Sequence, residues 1–243
     1  MSPETVLRAE KLVKVYRSDS VETPALRGVD LEISRGEFTA VAGPSGSGKS
    51  TLLHLLGGLD RPTSGEVFLE GRALSSLSSE ELARLRLERI GFVFQSYNLI
   101  PVLTVLENVA FVLELRGVPK KERERRAREI LSELGIEKYA DQFPHRLSGG
   151  EQQRVAVARA VVGAPAIVLA DEPTANLDGE NSRALIDLMR RLNDSRETTF
   201  LFATHDSRLL DRAKRLLILE DGRITADRAG EGPWDSVQVT QGA

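Results

Sequence analysis

Val29-Asp30-Leu31-Glu32-Ile33 alternates apolar and polar residues with period two, the pattern of a strand buried on one face. Leu7 to Tyr16 and Glu66 to Gly71 also read as strands, with a polar loop expected between Tyr16 and Val29. Several short strands thus gather before residue 75. Ala166 to Ala170 is instead a continuous apolar run, as in a strand buried inside a parallel sheet, and Ile90 to Phe94 reads as a buried strand and Thr199 to Ala203 as a strand. Ala184, Leu185, Leu188, Met189 and Leu192 recur with the period of a helix.

Boundary signals fit these elements. Ser78 and Glu81 form a capping box that opens a helix running to about Arg89. From Ser96 to about Gln153 the chain reads as mostly helix; Pro119 opens one helix and Gly135 ends it. Leu216 to Ala226 reads as a hairpin turning at Asp221-Gly222. Strand–helix alternation on both sides of an inserted helical block predicts an α/β core with a helical lobe. Residues 229–243, which include Trp234, are polar and glycine-bearing and are expected to form a loose tail.

Composition narrows the classes. With 243 residues the chain can bury a large core, and its net charge of −3 gives no basic footprint for nucleic acid. It has no cysteine, hence no disulfide framework and no thiolate metal site, and its three histidines lack metal-ligand spacing. Lys120 to Arg126 looks basic, but its signs alternate along a helix whose apolar face is Ile130, Leu131 and Leu134. That is a solvated helix face. The N-terminus lacks the apolar stretch of a signal peptide, and the longest nearly apolar run, Val155 to Ala170, is too short to span a bilayer. A soluble cytoplasmic protein is expected, one that can sit on a membrane protein.

The chemistry starts at Gly43-Pro44-Ser45-Gly46-Ser47-Gly48-Lys49-Ser50, which matches the phosphate loop G-x-x-x-x-G-K-[ST]. Gly46 and Gly48 let successive backbone N–H groups curl around an anion, and the following helix points its positive end at the same place. Lys49 supplies a mobile charge to the outer phosphates, and the Ser50 hydroxyl is placed to ligate Mg²⁺. The run Glu37 to Ala42 ahead and the apolar helix Thr51 to Leu56 behind supply the required context. A nucleoside triphosphate is the expected ligand.

Asp171 and Glu172 end the buried strand at Ala170. There Asp171 can hold the Mg²⁺ shell while Glu172 orients or deprotonates the attacking water. Leu147-Ser148-Gly149-Gly150-Glu151-Gln152 opens another helix with a capping box, Ser148 to Glu151. Its two glycines bare the helix N-terminus for a second phosphate contact. A second anion site on one chain makes sense if two copies meet head to tail and share each nucleotide.

With these motifs in this order, the chain resembles an ABC-transporter ATP-binding subunit from about Leu7 to Ala226. The resemblance rests on the phosphate loop, Gln95, Leu147 to Gln152, Asp171-Glu172, Ala175-Asn176-Leu177-Asp178 and His205. It implies a P-loop NTPase core with a parallel sheet, an N-terminal antiparallel β subdomain and an inserted α-helical subdomain. It further implies one ABC ATPase domain over 1–228, with core 1–95 and 154–228 and helical subdomain about 96–153. By the same resemblance Tyr16 stacks on adenine, Gln95 touches Mg²⁺ and the water, and His205 contacts the γ-phosphate. Ser148 and Gly150 would reach the γ-phosphate held by the other copy. The implied nucleotide set also takes in Gly43 to Thr51, Gly149 and Gln152, with Ser50, Gln95 and Asp171 at the metal and Glu172, Gln95 and His205 in catalysis. ATP and Mg²⁺ are the implied cofactors. The implied partners are a second copy and an integral membrane permease, with no nucleic acid, on the cytoplasmic face of the inner (plasma) membrane.

Gly58 to Gly65 and Ile90 to Pro101 are similar to the lipoprotein-releasing and macrolide-exporter group (LolD/MacB type), apart from Ala175, where that group usually has Gly. Lipoprotein release, efflux or mechanotransmission is the implied work. The alternative is a non-transport ABC ATPase, such as a cell-division regulator or an iron–sulfur assembly scaffold. Long-coiled-coil chromosome ATPases do not fit, because Lys49 and Ser148 lie only 99 positions apart without heptads. Between Gln95 and Leu103, Tyr97, Leu99, Ile100 and Val102 sit on a loop. They either pack onto the helical lobe or line a groove for a permease helix.

Overall fold

In a computed structural model that describes residues 4–18 and 21–230, period-two patterning closes the N-terminal part into an antiparallel sheet. Strands β1 (Thr5–Ser18) and β2 (Val21–Ser34) pair along their length, and β1 also pairs with β4 (Ser64–Leu69), which continues into β5 (Arg72–Ala73). The sheet order is β2-β1-β4-β5. The loop expected between Tyr16 and Val29 is mostly strand: Tyr16 pairs with Thr23 and Arg17 with Glu22. Register shifts near Ala9, Leu12 and Lys14 break the alternation that would have marked it.

The apolar runs form a second, six-stranded sheet in the order β10-β9-β3-β8-β7-β6. Its parallel members are β3 (Phe38–Ala42), β6 (Ile90–Val93), β7 (Ile167–Asp171), β8 (Phe200–Ala203) and β9 (Arg215–Glu220); β10 (Arg223–Ala229) runs antiparallel at the edge. Both faces are covered, so every residue of β3 and β8 is buried. Phe38, Phe200 and Phe202 meet here, with ring centroids 4.6 to 5.6 Å apart. The α/β expectation, with its antiparallel sheet and helices, is met. Residue 229 belongs to β10, and Trp234 lies outside the described residues.

The α-helices among the described residues are α1 (Lys49–Leu56), α2 (Ser79–Arg89), α3 (Val105–Leu115), α4 (Lys120–Glu133), α5 (Gly149–Val161), α6 (Gly179–Arg196) and α7 (Ser207–Leu210). Capping boxes open α2 at Ser78 and α5 at Ser148, as expected, and a third opens α3 at Thr104 with Glu107. The charged face of α4 neutralises itself: Glu122 pairs with Arg125 and Arg126, which hold its carboxyl down at about 2. Arg116, just past α3, donates to the carbonyls of Leu87, Glu88 and Gly163 at 2.6 to 3.0 Å, fastening α3 to the ends of α2 and α5.

The segment leading into α3 hangs on one buried amide. Asn108 is fully buried; its Oδ1 accepts from the Ile100 N–H and its Nδ2 donates to the carbonyls of Ile100, Leu103 and Thr104. Asn108→Ala strips those buried backbone groups of their partner. It is expected to lower stability by about 1–3 kcal/mol in urea denaturation. An unchanged midpoint would show that the loop finds other partners.

Candidate active site

The C-terminal ends of the parallel strands finish level, with Val41 paired to Ala203, Ala42 to Ile218, Asp171 to Ala203 and Val93 to Ala170. Ligands in open α/β sheets bind beyond this edge. Here β3 releases the loop 43–48, and Gly48, with φ +103°, sits as the N-cap of α1. Loop and helix start line a cavity of about 640 Å³ together with Gln95, Glu172 and His205. The residues expected at one nucleotide from Gly43, Pro44, Ser45, Gly46, Gly48, Lys49, Ser50 and Thr51 all face it, whereas Ser47 is buried beneath the loop.

Two groups carry charges short of partners: Lys49 in the cavity lining, and Asp171, which lies outside the lining and reaches it through Ser50. The Lys49 ammonium donates only to the Gly43 and Pro44 carbonyls, at 2.8 and 3.0 Å. Burial pushes it below the ordinary lysine value, against the pull of Glu172 and Asp171. Burial also pushes the Asp171 carboxyl above its ordinary range, opposed by a hydrogen bond from Ser50 Oγ at 3.1 Å. A polyphosphate would relieve the first and a divalent cation the second. Ser50 and Asp171 are hard oxygen donors, which suit Mg²⁺. No cluster of three His, Cys, Asp or Glu stands ready to cage a metal among the described residues. Phosphate and water oxygens would have to complete such a shell, as is usual for Mg²⁺.

Glu172 follows Asp171 with left-handed backbone, φ +46°, and its N–H donates to the Ala203 carbonyl at 2.8 Å. This bend turns the carboxylate off the strand end towards the cavity. Thr204 Oγ1 donates to Glu172 Oε2 at 3.2 Å, and His205 Nδ1 lies 2.8 Å from Oε1. A carboxylate so oriented, beside the phosphate cradle, can accept a proton from water. Asn176 belongs to the turn at Ala175 to Asp178 that the sequence offers, whereas Thr204 is an addition from the structure. Thr204 is fully buried, and Asn176 Nδ2 donates to the Gln95 carbonyl at 2.8 Å, fixing the start of the loop after β6. Thr204 had a legible signal: it is the polar residue directly after a buried parallel strand.

Other expected residues lie elsewhere on the chain. Ser148, Gly149, Gly150 and Gln152 are absent from the cavity lining. Ser148 is exposed at the start of α5, its hydroxyl accepting from the Glu151 N–H. Tyr16 is also outside the lining and half-exposed. Its ring faces the Lys14 ammonium at 4.9 Å, and its hydroxyl donates to Asp60 at 3.2 Å. The loop after Gln95 divides its apolar residues: Leu99 packs against the core, while Val102 is 77% exposed. Arg159 of α5 donates to the carbonyls of Tyr97 and Asn98, which both have positive φ.

A cavity lined by a phosphate loop and Glu172, with Asp171 at the strand end behind it, defines a P-loop nucleotide hydrolase. The profile described as ABC transporter matches residues 26–175. An uncharacterized ABC transporter ATP-binding protein of Thermotoga maritima is 48% identical over 211 residues, covering 87% of this chain and 90% of that protein. The dimeric post-hydrolysis structure of the ATP-binding cassette MJ0796 with ADP and phosphate superimposes with a TM-score of 0.86. It is 40% identical and covers 93% of this chain and 99% of its own. CbiO1 of Clostridium perfringens, part of an ABC transporter complex, gives a TM-score of 0.82 at 30% identity, covering 93% of this chain and 89% of its own. The chain belongs to the ABC transporter ATP-binding family and is an ATPase cassette of that family.

Proposed function

We propose that this cassette pairs head to tail with a second copy around two Mg²⁺·ATP and powers a membrane permease. The observation that carries the reading is a division within one chain. Its cavity gathers the phosphate loop, Gln95, Glu172 and His205, while the N-terminus of α5, capped by the exposed Ser148, lies outside its lining. A second copy can supply that terminus. Dimeric solved cassettes of 40% identity support the pairing. In this reading Ser50, Asp171 and Gln95 hold Mg²⁺, Glu172 takes the proton of the attacking water, and His205 contacts the γ-phosphate. Tyr16 reaches adenine once its ring leaves Lys14. Residues 1–228 act as one ABC ATPase domain in which 96–153 is the inserted helical part.

We place the chain with the lipoprotein-releasing and macrolide-exporter type on Gly58 to Gly65 and Ile90 to Pro101. Among the described residues no helix is long and apolar enough to cross a membrane. The permease would therefore supply the membrane segments and hold this subunit at the cytoplasmic face.

Docking is read at the opening between β6 and α5. A groove of about 350 Å³ there is lined by Leu59, Phe92 and Phe94, with the rings of Phe92 and Phe94 stacked at 5.6 Å. Exposed Val102 lies on the loop that follows Gln95. The chain has no cysteine, so Val102→Cys provides a unique thiol. In membranes of the native host, a short bifunctional reagent on that thiol is expected to yield one adduct with an integral membrane protein. Val21→Cys, exposed on β2, should give none. Absence of an adduct at 102, or the same adduct at 21, would place the docking surface elsewhere.

A further inference from the structure

Two hairpin turns in this protein share one backbone shape. Glu70-Gly71, between β4 and β5, has φ +47° and +77°; Asp221-Gly222, between β9 and β10, has φ +45° and +75°. Their surroundings differ. A Cβ added to Gly71 would meet nothing within 4 Å. A Cβ on Gly222 would lie 2.7 Å from the Ala25 carbonyl oxygen and 3.0 Å from Leu26 Cα, both backbone atoms that cannot rotate aside.

The second turn also touches the phosphate loop directly. The Gly222 N–H donates to the Ser47 carbonyl at 3.1 Å, and the Gly222 carbonyl accepts from Arg27 N–H at 2.8 Å. Through Ala25 it leans on the loop again: the Ala25 oxygen is 2.5 Å from where a Cβ on Gly48 would stand. On the other side, the Leu219 oxygen is 2.0 Å from the corresponding point on Gly43. Both ends of the loop thus rest on backbone, at distances only glycine permits. Its own side chains give little hold on that face; the Ser47 hydroxyl is buried without a hydrogen-bond partner.

We propose that the β9–β10 turn is the positioning element of the phosphate loop, and that Gly222 is the residue through which it sets nucleotide affinity. Displacing Ala25 presses its carbonyl into Gly48, the residue whose left-handed backbone aims the loop's N–H groups and starts α1. The Gly222–Ser47 hydrogen bond then holds the loop's far side in place. Gly222 touches no phosphate; it acts through Ser47 and Ala25.

The twin turn supplies the control. Gly222→Ala and Gly71→Ala impose the same left-handed strain, and the two proteins are compared by melting temperature and by ADP affinity in a fluorescence competition assay. Gly222→Ala is expected to weaken ADP at least tenfold and, with its added clash, to melt lower than Gly71→Ala, which carries the strain alone and leaves affinity within twofold. Equal affinity changes in the two, or none in Gly222→Ala, overturn the proposal. A measurement on the unmodified chain covers the case where Gly222→Ala does not fold. Saturating ADP should slow hydrogen exchange at the Gly222 amide severalfold and leave residues 70–73 unchanged; no change at Gly222 overturns the proposal equally. The inference rests on the loop being the nucleotide site, so Lys49→Ala is run alongside. If Lys49→Ala still binds ADP normally, that site assignment fails; if it loses ADP while Gly222→Ala keeps it, only the role of the turn fails.

Discussion

Glu172→Gln is expected to slow phosphate release by about 10²–10⁴-fold, the range for loss of a general base, while ATP stays bound. Glutamine keeps the length and shape of the side chain and its acceptor for Thr204 Oγ1, but it cannot take a proton at neutral pH. The loss corresponds to about 3–5 kcal/mol of barrier. Rearrangement of one hydrogen bond, worth about 1 kcal/mol, would not account for it. Because the cradle at 43–50 is untouched, the variant should also accumulate an ATP-bound dimer on a sizing column. Lys49→Ala should instead lose nucleotide itself, since its ammonium is the cavity's desolvated cation. Near-normal turnover of purified Glu172→Gln would remove Glu172 from the role of base and leave Gln95 or His205 to orient the water.

The sequence made the parallel core and most of this site readable because each part depends on local patterning. Ile167 to Ala170 is apolar throughout and Phe38 to Ala42 is interrupted only by Thr39, so both read as buried strands without knowledge of neighbours. The phosphate loop's spacing is itself the geometry of a turn entering a helix. What stayed hidden depends on pairing between distant segments. The extension of β2 back to Val21 becomes strand only because β1 offers partners, and bulges blur its period. The Thr104–Glu107 box that opens α3 is, by contrast, a local signal of the same kind as those at Ser78 and Ser148. Thr204 gains meaning only when β7 and β8 come level, as does the contact of Asn176, a residue of a legible motif, with the Gln95 carbonyl. Tyr97 and Leu99, read as candidates for a docking groove, divide differently: Leu99 packs inward and Tyr97 is fastened by Arg159, leaving Val102 as the exposed apolar residue.

A mixture of two inactive chains should regain activity if each site is shared. Lys49→Ala disables the cradle of its own chain, and Ser148→Arg blocks the exposed helix N-terminus that its chain offers to the other copy. Neither homodimer then has a working site. In a heterodimer, one site pairs the damaged cradle with the damaged terminus, and the other pairs two intact halves. At random mixing in a two-fold dimer, roughly a quarter of the unmodified rate should return if one intact site turns over alone. Loss of the Ser148 cap itself costs only about 1 kcal/mol, so the variant should fold and bind ATP as a monomer. That monomer binding is the control which separates a blocked terminus from a damaged protein. Tagging the chains differently verifies that heterodimers form. If they form and no hydrolysis returns, the Ser148 terminus does not complete the partner's site, and the cavity at 43–50 must work with groups from its own chain.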